Sequence, residues 1–358
     1  MSGSEAYRDA GVDLEAQDRA LSKVKKLARS TFTRAVLSDV GSFGGLFRLD
    51  LGDVEEPVLV ASADGVGTKL MVARMVGDYG SVGEDLVNHC VNDILVQGAR
   101  PLFFLDYVGA GILDPDSMVE LVSGVARGCK RNRCALLGGE TAEMPGFYQP
   151  GDYELVGFIV GLVDRLHLLD GSRVEAGDLL VGLPSAGLHT NGFSLARKVL
   201  LEQAALGLDD LLSPNGKETV RDALLAPHLS YLPAIEPLLG HPALHAMAHV
   251  TGGGLTDNVP RILPRSRHAS IRVGSWEIPD VFHRIQELGE VDSEEMFRVF
   301  NMGIGMVLVV GQDGLKDVLA QLRKKKQKSW VIGSVQKGKR GVVYDLERSV
   351  GAGGDEAT

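Results

Sequence analysis

The sequence predicts an α/β protein of two domains, in which mixed sheets are interleaved with helices. Short apolar runs alternate with helical patterns through the first half of the chain, as at residues 57–60 and 82–97. The turn-rich stretch 170–178 interrupts this alternation, and a second series of strands begins at Leu179. A chain of 358 residues is long enough for two cores. We therefore predict an N-terminal domain over residues 1–169, a C-terminal α/β domain over 170–346 and a disordered tail over 347–358.

Composition and charge exclude several functional classes. The formal net charge of −10 argues against a nucleic-acid partner, because binding a polyanion requires a basic surface. The only cysteines, Cys90, Cys129 and Cys134, contain no Cys-x-x-Cys pair, so neither a disulfide framework nor a cysteine zinc site is indicated. We find neither a signal-peptide pattern nor an apolar run of 18 residues, and we expect a cytoplasmic protein without a membrane partner.

The segment 61–69 is the strongest candidate for a ligand site. Asp64 follows an apolar strand that we expect to be buried on both faces of its sheet. Gly65 and Gly67 permit a tight turn, and Thr68 and Lys69 begin a helix, at whose N-terminus phosphate groups bind readily. The segment matches neither a P-loop nor a dinucleotide fingerprint. It therefore predicts a phosphate and metal site of another kind, the alternative being a simple Asp-Gly turn.

Further acids occur late in a helix and after strands. Asp85, His89 and Asp93 have the spacing i, i+4 and i+8 on one flank of the helix over 82–97. Asp93 falls in the last turn, where the helix dipole disfavours an acid unless a cation is near, so it is a candidate metal ligand; the alternative is a solvated face. We expect one strand to end at Asp106 and the strand over 134–137 to lead into the segment 138–141, which places a site at one edge of the sheet.

Two glycine-rich turns precede helices in the second half. One contains His189, Thr190, Asn191 and Gly192, and the other is the segment 251–254. Turns of this kind direct backbone N–H groups at an anion. The alternatives are an ordinary loop histidine in the first turn and close backbone packing in the second.

Taken in order, these motifs resemble those of the phosphoribosylformylglycinamidine cyclo-ligase family, also called aminoimidazole ribonucleotide synthetases. The resemblance extends from about Tyr7 to Tyr344. It rests jointly on these segments: Ala10-Gly-Val-Asp13, Asp64-Gly-Val-Gly-Thr-Lys69, Cys90-Val-Asn-Asp93, Pro101-Leu-Phe-Phe-Leu-Asp-Tyr107, Gly138-Gly-Glu-Thr-Ala-Glu-Met-Pro145, His189-Thr-Asn-Gly192, His249-Val-Thr-Gly-Gly-Gly254 and Phe300-Asn-Met-Gly-Ile-Gly-Met306. The chain departs from the family at Ala61 and Ala63, where polar residues are usual, and in its final stretch.

The resemblance implies an ATP-dependent ring closure in purine biosynthesis, with ATP and Mg²⁺ as cofactors. ATP phosphorylates the formyl oxygen of formylglycinamidine ribonucleotide, the amidine nitrogen attacks that carbon, and phosphate leaves to give aminoimidazole ribonucleotide. It also implies a homodimer, in which the N-terminal sheets of two subunits form a shared barrel.

The resemblance further assigns roles to individual residues. For the metal it implies Asp64, Asp93, Asp85 and Glu140. For the nucleotide it implies Lys25, Asp64, Gly65, Val66, Gly67, Thr68, Lys69, Asn92, Asp93, Gly138, Gly139, Glu140 and Thr141. For catalysis it implies His189, His249 and Lys69, and for the ribonucleotide substrate Thr190, Asn191, Gly192, Thr251, Gly252, Gly253 and Gly254.

Three other functions fit the same motifs less well. A related phosphotransferase, such as a thiamin-monophosphate kinase or a selenophosphate synthetase, is one alternative, but the latter carries a reactive cysteine near its N-terminus and here none precedes Cys90. A non-catalytic nucleotide-binding scaffold predicts loss of the acids or histidines, all of which are present. A dehydrogenase is disfavoured because the dinucleotide fingerprint is missing.

Overall fold

The computed structural model describes residues 14–112 and 114–346, which form two β-sheets with helices. The motif at residues 10–13 and the predicted tail over 347–358 lie outside the described residues. The predicted boundary between residues 169 and 170 falls in the connection between the sheets, and the division into two domains stays a prediction.

The first sheet has four strands in the order β1-β4-β2-β3. β4 is antiparallel to both β1 and β2, whereas β2 and β3 are parallel and are joined through a helix. The strands are β1 Pro57–Gly65, β2 Arg100–Ala110, β3 Ala135–Glu143 and β4 Tyr153–Asp164, and the helices are α1 Leu14–Arg29, α2 Lys69–Val76, α3 Tyr79–Leu95 and α4 Pro115–Arg131. The expected start of α4 is confirmed, because the Asp114 carboxylate accepts a hydrogen bond from the Ser117 N–H and Pro115 occupies the first turn.

The second sheet has six strands in the order β10-β7-β9-β5-β8-β6, of which only β10 and β7 form a parallel pair. Its strands are β5 Leu179–Pro184, β6 Leu244–His249, β7 Arg267–Val273, β8 Ile304–Val310, β9 Trp330–Lys337 and β10 Val342–Leu346. Its helices are α5 Phe193–Arg197, extended by π-helical Lys198–Gln203, α6 Val220–Leu225, α7 Leu232–Ile235, α8 Gly254–Asn258, α9 Asp280–Gly289, α10 Ser293–Val299 and α11 Leu315–Lys324. The predicted α/β class with mixed sheets is confirmed.

Two details of the first sheet differ from the sequence prediction. The prediction that β1 is buried on both faces was wrong, because β1 is an edge strand and Leu59 is 59% exposed. Asp106 and the segment 138–141 do not follow their strands but lie within β2 and β3. A short apolar run cannot reveal that a strand continues through polar and glycine residues, and here pairing with neighbouring strands extends both strands.

Helix α3 connects the two halves through a continuous core. Its residues Leu86, Cys90 and Ile94 are fully buried and belong to the same apolar cluster as Val181 of β5 and Met306 of β8. The polar residues of α3 are therefore held at the junction of the two sheets.

Candidate active site at the junction of the two sheets

Three polar residues of α3, spaced i, i+3 and i+7, bind the backbone of a segment from the second half. Asp85 Oδ1 accepts a hydrogen bond from the His228 N–H at 2.7 Å, and the Asn88 amide donates to the His228 carbonyl at 2.8 Å. Asn92 Oδ1 accepts from the Tyr231 N–H at 3.0 Å. The buried Asn92 amide thus holds the two halves together, and its nucleotide-binding role stays a prediction.

Lys69 and Asp85 form a buried ion pair away from the site. Both side chains are 0% exposed, and Lys69 Nζ lies 2.6 Å from Asp85 Oδ2 and donates to the Ala226 carbonyl at 2.7 Å. Burial raises the pKa of Asp85, and Lys69 is the main opposing influence. The segment around Ala226 covers the start of α2, so both side chains are engaged in this ion pair; the contact of Lys69 with the polyphosphate and that of Asp85 with a metal stay predictions.

The predicted carboxylates Asp64 and Asp93 meet around two histidines. His89 Nε2 lies 2.9 Å from Asp64 Oδ2 and 3.9 Å from Asp93 Oδ2. Asp93 Oδ1 lies 2.8 Å from His249 Nδ1, and its other oxygen accepts a hydrogen bond from Ser62 Oγ at 3.0 Å. The structure thus brings Asp64, Asp93 and His249 together from β1, α3 and β6.

The electrostatics of this cluster favour two ionised carboxylates. Burial raises the pKa of Asp93, but the hydrogen bond and charge of His249 outweigh it and bring the pKa below its usual range. Burial also raises the pKa of Asp64, but the nearby His89 imidazole outweighs it and lowers this pKa overall. Burial also lowers the pKa of His89, yet the neighbouring acids raise it to a net value above the ordinary one. For His249, burial prevails and the pKa is lowered despite Asp93.

A buried histidine that the sequence did not single out links these groups. His228 Nδ1 lies 3.2 Å from Thr190 Oγ1, and His228 Nε2 lies 3.0 Å from His249 Nε2. The same Thr190 hydroxyl is 2.8 Å from His89 Nδ1. His228 follows Pro227 in a loop without periodicity, so only the tertiary contacts identify it.

His189 packs against this chain of contacts and does not reach the carboxylates. Its ring stacks on His228 with centroids 4.2 Å apart, and its Nε2 accepts from the Ala186 N–H at 3.2 Å. Burial and neighbouring positive groups hold the pKa of His189 well below its usual value. Within residues 14–112 and 114–346, no contact joins His189 to Asp64 or Asp93, so the geometry favours packing for this predicted catalytic residue.

A cavity of about 710 Å³ opens above Asp64. Its walls combine the turn after β1 with the first glycine-rich turn of the second half, and they include Asp64, Gly65, Gly67, Thr68, His89, Thr190 and Asn191. Val66 is buried, so only its main chain is available to a ligand.

The glycines of the two turns in the second half have different roles. A Cβ at Gly252 would lie 3.2 Å from Asn191 Oδ1, which places the segment 251–254 beside the cavity rim. A side chain at Gly192 would overlap the Phe300 ring, and one at Gly254 would overlap the Phe297 carbonyl. These two glycines are therefore required for packing, whatever ligand the turns bind.

The predicted nucleotide residues of β3 line a separate cavity of about 700 Å³ beneath α1. This cavity is largely apolar and includes Asp106, Gly138, Gly139, Glu140 and Thr141. In the sheet register Glu140 is opposite Tyr107, then Val156, then Gly65, a separation of three strands or about 14 Å. Within one chain, Glu140 and Asp64 are therefore too far apart to bind the same ion, and the predicted role of Glu140 as a metal ligand stays a prediction.

Lys25 lies apart from both cavities. Its ammonium lies against Gly41, in the loop that follows α1. In the part of the chain that the structure describes, Lys25 lines neither cavity wall.

Asp106 should make stability depend on pH. Asp106 is partly buried in the wall of the largely apolar cavity beneath α1, and its desolvation raises its pKa to about 7, above the value in the unfolded chain; its charge therefore destabilises the fold increasingly from pH 4 to 7. Asp106→Asn removes this penalty and should stabilise the protein by roughly 1–2 kcal/mol at pH 8, allowing for solvent screening, but little at pH 4. Urea unfolding of both proteins at the two pH values tests this; an equal difference at both would contradict it.

The comparisons with known proteins identify the family. Residues 46–163 match the family described as AIR synthase related protein, N-terminal domain, and residues 175–346 match AIR synthase related protein, C-terminal domain. The chain belongs to this AIR synthase related family, and the family resemblance seen in the motifs is confirmed.

Two relatives within this family have a specific enzyme name. The chain is 49% identical over 334 residues to the phosphoribosylformylglycinamidine cyclo-ligase of Oleidesulfovibrio alaskensis, covering 93% of this chain and 95% of the relative. It is also 49% identical over 337 residues to the cyclo-ligase of Pseudothermotoga lettingae, covering 94% and 98%.

Solved structures share the fold at lower identity. Thiamine-monophosphate kinase from Stenotrophomonas maltophilia aligns with a TM-score of 0.66 at 20% identity over 92% of this chain and 95% of the kinase. The hydrogenase maturation protein HypE, solved in complex with ATP, aligns with a TM-score of 0.64 at 17% identity over 92% and 91%. Among the described residues, no helix has the length and apolar character needed to cross a bilayer.

Proposed function

We propose that the protein is an ATP-dependent cyclo-ligase that converts formylglycinamidine ribonucleotide into aminoimidazole ribonucleotide, ADP and phosphate. The observation that carries this proposal is the 49% identity to named cyclo-ligases over 93% of the chain. The cluster of Asp64, Asp93 and His249 beside a cavity provides acidic and imidazole groups suited to this reaction. The fold shared with thiamine-monophosphate kinase does not favour the kinase alternative, since at 20% identity it reflects architecture alone.

The donor set fits a magnesium ion. Asp64 and Asp93 provide carboxylate oxygens whose lowered pKa keeps them ionised, and Mg²⁺ prefers oxygen ligands. We assign these two residues to the ion. When bound, Mg²⁺ would neutralise charge on the phosphates of ATP.

The chain's own groups position the reactants. The N–H groups of Gly65 to Thr68 face the phosphates from the turn after β1, and Thr190 and Asn191 contact the ribonucleotide across the cavity. The segment 251–254 holds its phosphate at the rim. Of the predicted catalytic histidines, His249 is the better placed, because it contacts Asp93 directly.

The cavity beneath α1 suits the base of the nucleotide. Its apolar walls would bury a flat ring, and the nearby segment 138–141 would contribute the contacts predicted for it. Lys25 of α1 lies against Gly41 and does not line this cavity, so its predicted contact with the nucleotide would require its side chain to reorient.

One assay tests the proposed reaction. Purified protein with ATP, Mg²⁺ and formylglycinamidine ribonucleotide should produce aminoimidazole ribonucleotide and ADP in equal amounts. ADP formation only with thiamin monophosphate would support the kinase instead, and no turnover with either substrate would contradict both.

The exposed face of the first sheet supports a homodimer. Leu59 of β1 is 59% exposed and Phe158 of β4 is 40% exposed, and Phe158 pairs in register with Ala63 and Leu105. Contiguous apolar surface of this kind marks interaction sites. We infer that two copies associate through this face.

Leu59→Asp combined with Phe158→Asp should therefore produce a monomer, because two carboxylates would be desolvated in the interface. Light scattering after size exclusion measures the mass. Leu211→Asp is the matched control, since Leu211 is 49% exposed in the second half and should leave the mass unchanged. A dimer that survives the double substitution would contradict this interface.

A further inference from the structure

We propose that His89, Asp93 and His249 form a binding site for a divalent transition-metal ion, of the class of Zn²⁺ or Co²⁺, in the nucleotide-free protein. The proposal goes beyond the magnesium site, which uses only the carboxylates. It shares Asp93 with the proposed function but does not require that the chain catalyse ring closure.

The distances fit a metal site that needs little rearrangement. Each of the three residues offers one ligand atom, and these atoms lie within 4.8 Å of one another. Asp93 Oδ1 is 2.8 Å from His249 Nδ1, and Asp93 Oδ2 is 3.9 Å from His89 Nε2. Ligand atoms around tetrahedral zinc are about 3.4 Å apart, because each lies about 2.0–2.1 Å from the ion. Changes of up to about 1.4 Å in the separations of these atoms would therefore complete the geometry.

One ring nitrogen is buried and lacks a well-directed partner. His89 Nε2 is close to the two carboxylates, but it makes no hydrogen bond of good geometry within the described residues. A buried polar atom of this kind is expensive unless a partner satisfies it. A metal ion between His89 and Asp93 would supply that partner.

The second nitrogen of each histidine is already held by a buried group. His89 Nδ1 contacts Thr190 Oγ1 at 2.8 Å, and His249 Nε2 contacts His228 Nε2 at 3.0 Å. Ser62 holds Asp93 in the same way. Metal-binding histidines characteristically have such an outer partner, which fixes the ring orientation and the tautomer. An ordinary hydrogen-bonded cluster does not require that each ring direct one nitrogen at the shared centre while a buried group holds the other.

The hydrogen positions can be assigned consistently with both ligand atoms unprotonated. His249 Nε2–H then donates to His228 Nε2. His89 Nδ1–H and His228 Nδ1–H both donate to the Thr190 hydroxyl oxygen, which has two lone pairs. Neutral imidazoles can therefore face the ion while these outer contacts persist, and coordination of the ion would replace the hydrogen bond between His249 Nδ1 and Asp93 Oδ1.

The ligand types determine the class of metal. Two imidazoles and one carboxylate favour zinc, cobalt and similar ions, whereas magnesium prefers oxygen ligands and retains water. Asp64 Oδ2, at 2.9 Å from His89 Nε2, is the nearest additional oxygen for a fourth position.

Direct metal titration tests the proposal. Adding Co²⁺ to the full-length, nucleotide-free protein should give visible absorption bands that saturate at one equivalent, and Zn²⁺ should displace them. Excess Mg²⁺ should leave the bands unchanged. His89→Gln and His249→Gln should each weaken Co²⁺ binding by at least about 100-fold, and His228→Gln by about 10-fold, as expected for loss of an outer partner.

A histidine on the same strand as His249 provides the control. His245 of β6 pairs with Asp178 at 2.8 Å, outside the cluster, so His245→Gln should retain full Co²⁺ affinity. Circular dichroism checks that each variant is folded. The proposal is overturned if the folded wild-type protein binds no stoichiometric Co²⁺, or if both His89→Gln and His249→Gln retain wild-type affinity. Because no nucleotide or ribonucleotide is present, this result is independent of the ring-closure assay.

Discussion

Asp93→Asn should lower kcat for ring closure by about 10³-fold or more while leaving the fold intact. The substitution removes the charge that holds His249 and that we assign to Mg²⁺, whereas the amide keeps the size of the side chain and an oxygen for the Ser62 hydroxyl. Steady-state kinetics with ATP and formylglycinamidine ribonucleotide measure the loss, and thermal unfolding should give a similar midpoint for both proteins.

The matched control for this experiment is Asp178→Asn. Asp178 also accepts a contact from a histidine, His245, at 2.8 Å, but this pair lies outside the candidate site. It should retain kcat close to that of the wild type. A kcat within a few-fold of the wild type in Asp93→Asn would remove Asp93 from the catalytic assignment.

Lys69→Met should destabilise the protein by about 3–5 kcal/mol, because it leaves the Asp85 carboxylate buried without its cation. Urea unfolding at neutral pH measures the free energy of unfolding. Combining it with Asp85→Leu removes the unpaired charge and should recover part of the loss, although the His228 N–H then loses its acceptor.

Arg74→Met is the control, because it breaks an exposed ion pair that we expect to contribute little to the free energy of unfolding. Arg74 pairs with Asp152, and their side chains are 45% and 47% exposed, so the change in unfolding free energy should be small. If Lys69→Met proved equally mild, the buried pair would not stabilise the junction as we argue.

Local sequence signals predicted much of the fold, as the start of α4 and the turn after β1 illustrate. Asp114 and Pro115 act within one helical turn, and Gly67 adopts the positive φ of 65° that its turn requires. The sequence also predicted Asp64 and Asp93 as ligand residues, because each occupies a position that is unfavourable or unusual without a ligand; the structure places both beside His89, and their role stays a prediction. These features depend on neighbours a few residues away.

The structure departs from what the local patterns suggest where distant segments meet. Lys69 had the sequence context of a phosphate-binding lysine, but the backbone at Ala226, 157 residues later, covers it. Asp85 and Asp93 shared one helical flank, yet the segment around His228 turns Asp85 into a structural residue. No hydrophobic periodicity or sequence motif encodes such contacts, because they depend on how the two halves of the chain pack against each other.

The way α3 is held has a consequence for biosynthesis of the protein. Asp85 binds a backbone group 143 residues later, and Asp93 contacts His249 across 156 residues. A nascent chain that has emerged only as far as the first sheet therefore carries Asp64, His89 and Asp93 without Thr190, His228 or His249. Since domains form progressively from the N-terminus during translation, catalytic competence should be acquired only after β6, which ends at His249, and β8, with which β6 pairs, have emerged from the ribosome.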